Sequence, residues 1–477
     1  MAALGCTPED IGKSLLEVCK GCALRYLFPR IRQSLQLQIR GALDEACDDA
    51  ADIPGFTTLD RARCFARCLL LLRGGGAAVL APLRHLTCAN LRRCEAAVAA
   101  ARANRVFPPT LFSGNAQSPA MAAARANRLF PPRLFSGNAQ SLAAARVLAA
   151  LNTNSHELAE VEGSGLFLLA CTMEHDCAPN CSFTTHADAL WLTCVRDVRA
   201  GEHLSIDYGN NFYMPTASRQ EDLWATYEFH CECQACTALP DIARCFRCPA
   251  CGDAGRVHPP PPPSRDAAAQ QRSPWQCAAC AHACSPAETA TLERAEAELQ
   301  AALGAAMAAQ SDGIGIEEET EDGDVVVPVE VVEAALARAP LVRPHHSLAF
   351  WCYEGAARAF AGDADACRGG AAEAALLRVL ACVDAVLPRR HHERVVYWDM
   401  LAQTRVVAGN IEGAKRAYET AYEESKWVSG ADTPPTLAIL DLARNTPTSA
   451  QEMAQRYARS QQSHGGGGAE EEMDDTG

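Results

Sequence analysis

Aromatic side chains, long apolar runs and basic charge are all in short supply here, and each shortage excludes something. Aromatics make up only 6% of the 477 residues, yet 48% apolar and 21% charged residues are ordinary for a folded chain, which excludes wholesale disorder. The most apolar run, "CLLLLRGGGAAVLAPL" at 68–83, is broken by Arg73 and glycines and is too short to span a bilayer. A formal net charge of -15 leaves no basic footprint for nucleic-acid phosphates, and the acidic runs at 317–324 and 469–477 read as solvated loops. The N-terminus has no basic segment followed by an apolar core, so it does not read as a signal peptide. These features place the protein inside the cell, in cytoplasm or nucleus, with neither membrane nor direct nucleic-acid binding.

What is abundant is cysteine. Twenty-four thiols would stay reduced inside the cell, and several stand two residues apart, the spacing that lets two thiolates reach one zinc ion. Zinc accounts for them better than disulfides do.

The length allows two to four domains. Residues 1–150 read as a helical N-terminal region with amphipathic stretches such as "IGKSLLEVCKGCALRYLF", in which Cys19 and Cys22 are expected to be buried core thiols. A tandem duplication starts at Ala101 ("ARANRVFPPTLFSGNAQS") and again at Ala124, two copies being too few for a solenoid. From Leu151 the texture changes to short apolar runs separated by turns, "GLFLLACT", "ALWLTCVRDV" and "HLSIDYG", which predict strands, with "VRAGEHL" as a turn. Residues 238–290 hold two cysteine pairs around an extended "PPPPP" spacer at 259–263. Residues 291–460 return to helices. There, "VVAGNIEGAKRAYETAYEES" closes one helix at Gly409 and spaces Ala414, Tyr418 and Ala421 as in the second helix of a tetratricopeptide repeat or of a generic helical hairpin. Residues 461–477 read as a disordered acidic tail.

The stretch "EHDCAPNCSF", Glu174 to Phe183, concentrates a histidine, cysteines, a proline and an asparagine. Further on, "YEFHCECQAC" presents Cys231, Cys233 and Cys236 at C-x-C-x2-C, three thiolates that leave one vertex of a tetrahedral zinc open. Cys248 and Cys251 with Cys277 and Cys280 form two C-x2-C knuckles, a zinc-ribbon signature in which Cys245 and Cys284 compete as ligands.

"EHDCAPNC", "GEHLSIDYG" and "YEFHCECQAC" together resemble the N-H-S-C-x-P-N-C loop, the G-E-E-[IL]-x-x-x-Y strand and the post-SET segment of SET-domain protein lysine methyltransferases. The linking "NNFYMPTASRQEDLWATY" is similar to the SET and MYND domain (SMYD) branch. The resemblance runs from Leu151 onward. It implies an α+β fold: a SET-type β-fold with a knotted loop (SET core and post-SET zinc segment at 151–237), a zinc-ribbon element, and a C-terminal tetratricopeptide-like helical domain. It also implies Cys177 as the fourth zinc ligand beside Cys231, Cys233 and Cys236. Glu174, His175, Tyr208 and Phe229 take the positions that contact S-adenosyl-L-methionine, and Tyr208 and Tyr227 those that orient the substrate lysine. An unperturbed lysine has a pKa of about 10.4, so a desolvating aromatic channel that lowers it and aligns the amine suits the chemistry.

Three positions depart from the pattern: Glu174 replaces asparagine, Asp176 replaces serine, and His156 stands where an aromatic is usual. A carboxylate at 174 repels the cofactor's carboxylate and attracts its amino group or sulfonium. Neither a MYND finger nor an N-terminal SET segment is recognised, "GSG" at 163–165 lying too close to "EHDC" to supply its G-x-G strand. The expected function is S-adenosylmethionine-dependent methylation of lysine in a protein substrate, histone or non-histone. The alternative is an inactive SET-derived scaffold that binds a partner peptide in its helical groove. Four-thiolate zinc leaves no position for water, which argues against a zinc hydrolase.

Overall fold

A computed structural model describes residues 89–103, 138–158, 163–167, 170–186, 189–209, 213–261, 274–311 and 326–462. Cys19, Cys22, nearly all of the tandem duplication, the acidic segment at 317–324 and the acidic tail lie outside the described residues. The chain forms two compact units, one built from 1–173 with 185–190 and 224–229, the other from 174–184, 191–223 and 230–477.

In the first unit α1 (Leu91–Ala103) and α2 (Asn138–Asn154) pack through small and medium side chains, with Cys94, Ala97 and Val98 on α1 and Ala145, Leu148 and Ala149 on α2 all buried. Alanine allows this close approach because it carries almost nothing beyond Cβ. Helix α2 runs three residues past Leu151, where the β-rich part was expected to begin, and β1 (His156–Leu158) then pairs antiparallel with β2 (Gly163–Gly165), Glu157 facing Ser164. The expected strand "GLFLLACT" is mostly not a strand: after β2 the chain makes a 3-10 turn at Ala170–Thr172.

Further strands are β3 (Glu174–His175), β4 (Cys181–His186), β5 (Ala189–Cys194) and β6 (Ser205–Ile206), of which 185–190 belong to the first unit and the rest to the second. β3 pairs parallel with β6, and β4 pairs with β5 as a hairpin. The turn before β6 sits at Gly201, whose φ of 86° favours glycine. Helix α3 (Thr216–Tyr227) follows, then the short α4 (Gln234–Thr237).

The ribbon strands β7 (Phe246–Cys248), β8 (Gly252–His258) and β9 (Gln276–Cys277) make an antiparallel sheet in the order β7-β8-β9. Helices α5 (Pro286–Ser311), α6 (Val329–Arg338), α7 (Ser347–Ala361), α8 (Ala364–Gly369), α9 (Ala371–Val386), α10 (His392–Val407), α11 (Ile411–Val428), α12 (Pro434–Arg444) and α13 (Ala450–Gln462) follow among the described residues. The α6–α7 linker adds to the free edge of β7: Arg247 N–H donates to Leu341 O at 2.8 Å and Arg343 N–H to Cys245 O at 3.0 Å. One apolar core therefore joins ribbon and helices. Within it Tyr213 stacks on Phe350 at 3.8 Å and donates its hydroxyl to the His345 carbonyl at 2.9 Å. Gly409, at φ 79°, ends the α10 segment, Asn410 caps α11, and Ala414, Tyr418 and Ala421 are fully buried, as the helical-hairpin pattern predicts. Among the described residues no helix is long and apolar enough to cross a membrane.

Candidate functional site

The parallel β3–β6 pair sets His175 opposite Ile206, and the chain on either side carries the chemistry. The His175 side chain is 1% exposed. Its Nδ1 accepts the Tyr208 backbone N–H at 3.1 Å, so the ring proton resides on Nε2, which points at Cys177 Sγ 3.2 Å away. Burial keeps the imidazole pKa below its ordinary value, consistent with this neutral form. The His175 and Tyr208 rings meet at 5.3 Å. One histidine thus ties the Cys177 loop to the bend just past β6 that carries Tyr208.

Asp176 Oδ1 accepts the Ala178 N–H at 2.8 Å, an Asx turn that bends the loop. Glu174 is exposed and turned to His203, Oε1 to Nδ1 3.2 Å. Asn180, 1% exposed, does the holding: its amide donates to His203 O at 2.7 Å, and its Oδ1 accepts the Ser205 N–H at 2.8 Å. No periodicity marks Asn180 as a structural clamp, and its role emerges only because the loop lies against 202–205.

Four sulfur atoms meet at the end of this loop. Cys177, Cys231, Cys233 and Cys236 place their sulfurs within 4.8 Å of one another, with Cys177 3.5 Å from Cys236 and 3.9 Å from Cys231. A tetrahedral zinc with Zn–S bonds of about 2.3 Å has S···S edges of about 3.8 Å, so the donor set fits. Helix α3 braces it: Gln220 clasps the Cys231 backbone through both its amide groups, at 2.7 and 3.0 Å, and the buried Arg219 guanidinium lies 3.8 Å from Cys236 Sγ. Hydrogen bonds from the other three thiols, with added attraction from Arg219, drive the Cys236 thiol far below its usual pKa, and those from Cys177 and Cys231 bring Cys233 to about 6. Such thiols surrender protons readily to a metal. Arg219 and Gln220 escaped the reading of the sequence because nothing about a polar residue in a helix announces a partner eleven or more residues away.

Tyr227 and Phe229 belong to the first unit. Their rings lie 6.3 Å apart at 50°, separated by Glu228, whose φ of 58° ends α3 in the left-handed region. Asn90, just ahead of α1, donates to the Ala225 and Thr226 carbonyls at 3.0 and 2.9 Å and so caps the same helix end. Also in this unit, the His156 ring packs 5.9 Å from Phe167.

The ribbon brings together Cys248, Cys251, Cys277 and Cys280, again within 4.8 Å, with Cys248–Cys280 at 3.6 Å and Cys251–Cys277 at 3.7 Å. The two knuckles repeat one geometry. Ala250 N–H approaches Cys248 Sγ at 3.3 Å and Ala279 N–H approaches Cys277 Sγ at 3.4 Å, while Gly252 and Ala281 both adopt φ 58°. Burial opposes ionisation of Cys277, but the N–H groups of Cys280 and Ala279 overcome it and set the thiol at about 6. Cys245 is not in the cage: it lies 3.0 Å from His345 Nε2. Cys284 is buried outside it as well. Gly255 was missed and is decisive, because a Cβ there would come within 2.4 Å of Cys251 Sγ and 2.5 Å of Cys277 Sγ.

Comparison with known proteins finds similarity over part of the chain. Residues 87–209 match the SET domain model, which takes in α1, α2 and the loop and strands that carry Glu174 to Tyr208. Protein-lysine N-trimethyltransferase SMYD5 of Gallus gallus is 35% identical over 95 residues, 19% of this chain and 23% of the relative. Histone-lysine N-methyltransferase SMYD3 of Homo sapiens is 38% identical over 80 residues, 17% and 18% of the two chains. N-lysine methyltransferase SMYD2 of Homo sapiens is 32% identical over 95 residues, 19% and 22%. The aligned part spans less than a quarter of each relative's length. Residues 87–209 thus match a SET domain, and a stretch of 80–95 residues is similar to lysine methyltransferases of the SMYD type.

Proposed function

We propose that the protein is an S-adenosylmethionine-dependent protein-lysine N-methyltransferase acting, in cytoplasm or nucleus, on a histone or non-histone protein. The observation that carries this reading is the His175 bridge, which ties Cys177 of a four-cysteine cage to the Tyr208 backbone just past β6, at the end of a SET-type sequence. Bound S-adenosylmethionine supplies an electrophilic methyl group on sulfonium sulfur.

What the chain contributes is alignment and exclusion of water. The Tyr208 hydroxyl orients the substrate amine, while its backbone is held by His175. The family resemblance alone gives Tyr227 an orienting role and Phe229 a place on the adenine ring. Glu174 and His175 flank the cofactor, the carboxylate of Glu174 favouring its cationic groups. Zinc held by Cys177, Cys231, Cys233 and Cys236 has a structural task, since four thiolates fill its coordination. A second zinc held by Cys248, Cys251, Cys277 and Cys280 stabilises the join between ribbon and helices. Calorimetric titration of zinc-loaded protein with S-adenosylmethionine tests the reading. One site of micromolar affinity, followed by methyl transfer to a protein lysine that Tyr208→Phe depresses by tenfold or more, on the order of one hydrogen-bond contribution to alignment, is the expected result. Absence of binding in the zinc-loaded chain overturns it and leaves the scaffold role.

A further inference from the structure

Two cysteines stand outside both thiolate cages and across from each other in the β4–β5 hairpin. Cys181 Sγ and Cys194 Sγ are 3.8 Å apart. Cys181 is buried and Cys194 is exposed. Val195 N–H donates to Asn180 O at 2.9 Å, which makes 180 and 195 a hydrogen-bonded rung. The next rung of an antiparallel ladder, 181 with 194, is then of the non-hydrogen-bonded kind, where Cα atoms approach to about 4.5 Å. That separation falls within the range of about 4.4–6.8 Å that a disulfide accepts.

The rung is anchored on both strands. Asn180 is fixed by His203 O and Ser205 N–H, Val195 O accepts from Arg390 Nη1 at 3.2 Å, and further along β4 Thr184 Oγ1 donates to Ser429 Oγ at 2.9 Å. Thiols held at this separation on fixed strands need only rotation about χ1 and χ2 to bond, without a backbone shift.

We infer that Cys181 and Cys194 form a reversible cross-strand disulfide on exposure to a peroxide, a redox modification site separate from the zinc thiolates. The exposed Cys194 sulfur attacks hydrogen peroxide, breaking the O–O bond, and becomes a sulfenic acid as one water leaves. The Cys181 sulfur then attacks the sulfenic sulfur, the S–S bond forms, and the hydroxyl departs as a second water with the Cys181 proton. Two thiols are thereby oxidised by two electrons and one peroxide is reduced to two waters; a dithiol reductant reverses the change. The disulfide closes the rung next to the one that carries Asn180, so it stiffens the segment that leads through Ser205 to β6.

The experiment treats the zinc-loaded full chain with stoichiometric hydrogen peroxide, blocks remaining thiols with N-ethylmaleimide, and maps the cysteines by mass spectrometry while zinc content is monitored. The expected result is a linked 181–194 peptide pair lighter by two hydrogens, both zinc ions retained, and loss of the link with dithiothreitol. In Cys194→Ser, an exposed and tolerant position, the link disappears and Cys181 remains a thiol. Amide exchange at Val195 and Ser205 slows about tenfold in the oxidised protein and is unmoved by peroxide in the variant. The inference is overturned if zinc is ejected before the pair links, if Cys194 proceeds to sulfinic acid with Cys181 still reduced, or if Cys181 pairs with another cysteine.

Discussion

Gly255→Ala probes the ribbon cage with one methyl group. The added Cβ would stand 2.4 Å from Cys251 Sγ and 2.5 Å from Cys277 Sγ, about 1 Å inside ordinary van der Waals contact, and 3.0 Å from Cys248 Cβ. Two of the four sulfurs must retreat by about 1 Å, whereas a zinc site tolerates about 0.2 Å in its bond lengths. Structural zinc contributes about 10–16 kcal/mol, or about 3 kcal/mol for each of four thiolates, so losing one ligand weakens binding by at least about 100-fold. The assay is zinc stoichiometry against a graded chelator series, beside thermal unfolding. Wild type should hold two zinc ions; Gly255→Ala should hold one tightly, at the Cys177 cage, and melt at a lower temperature through the ribbon–helix core. Two ions held with undiminished affinity would refute the placement of the cage around Gly255. Loss of both would refute the independence of the two sites.

The matched knuckles make a paired prediction: Ala281→Gly relieves a left-handed residue and stabilises the zinc-bound protein by about 1 kcal/mol, while Gly252→Ala costs about the same, both read from denaturant midpoints. Glu296 is half-buried between Arg244, at 2.5 Å, and His346, at 3.1 Å. Burial alone would raise its pKa, but these two partners hold it at about 2 against an ordinary 4.5. A depressed folded pKa gives stability that is complete above pH 4.5 and is lost as pH falls toward 2. It amounts to about 3 kcal/mol at neutral pH; acid unfolding of Glu296→Gln should show a correspondingly shallower pH dependence across that window. Asn180→Ala strips partners from His203 O and Ser205 N–H and should cost about 3 kcal/mol, with amide exchange at Ser205 accelerating well beyond that at remote helices.

Much of the site was legible because its chemistry is written in local spacing. C-x-C-x2-C and the paired C-x2-C knuckles announce tetrahedral thiolate cages within a few residues, and Gly409 followed by Ala414, Tyr418 and Ala421 announces a helix end and a packed helix face. Spacing alone left the first cage one ligand short; resemblance named Cys177, and the fold puts it 3.5 Å from Cys236. The strand texture after Leu151 was legible only in part. "GLFLLACT" has the apolar run of a strand, yet among its described residues only Gly165 is in one, and Ala170–Thr172 form a 3-10 turn.

The sequence by itself therefore determined the ligand types, the knuckles, the helical C-terminal half and the SET-type loop, because each rests on covalent spacing or short-range periodicity. Only the tertiary structure decided that Asn180 pins 203–205, that Arg219 and Gln220 brace the first cage, that Cys245 belongs to His345 and not to zinc, that Gly255 admits no side chain, and that Cys181 faces Cys194. These depend on which segments, distant along the chain, burial of the apolar core brings within a few ångströms of one another, and no local pattern encodes that distance.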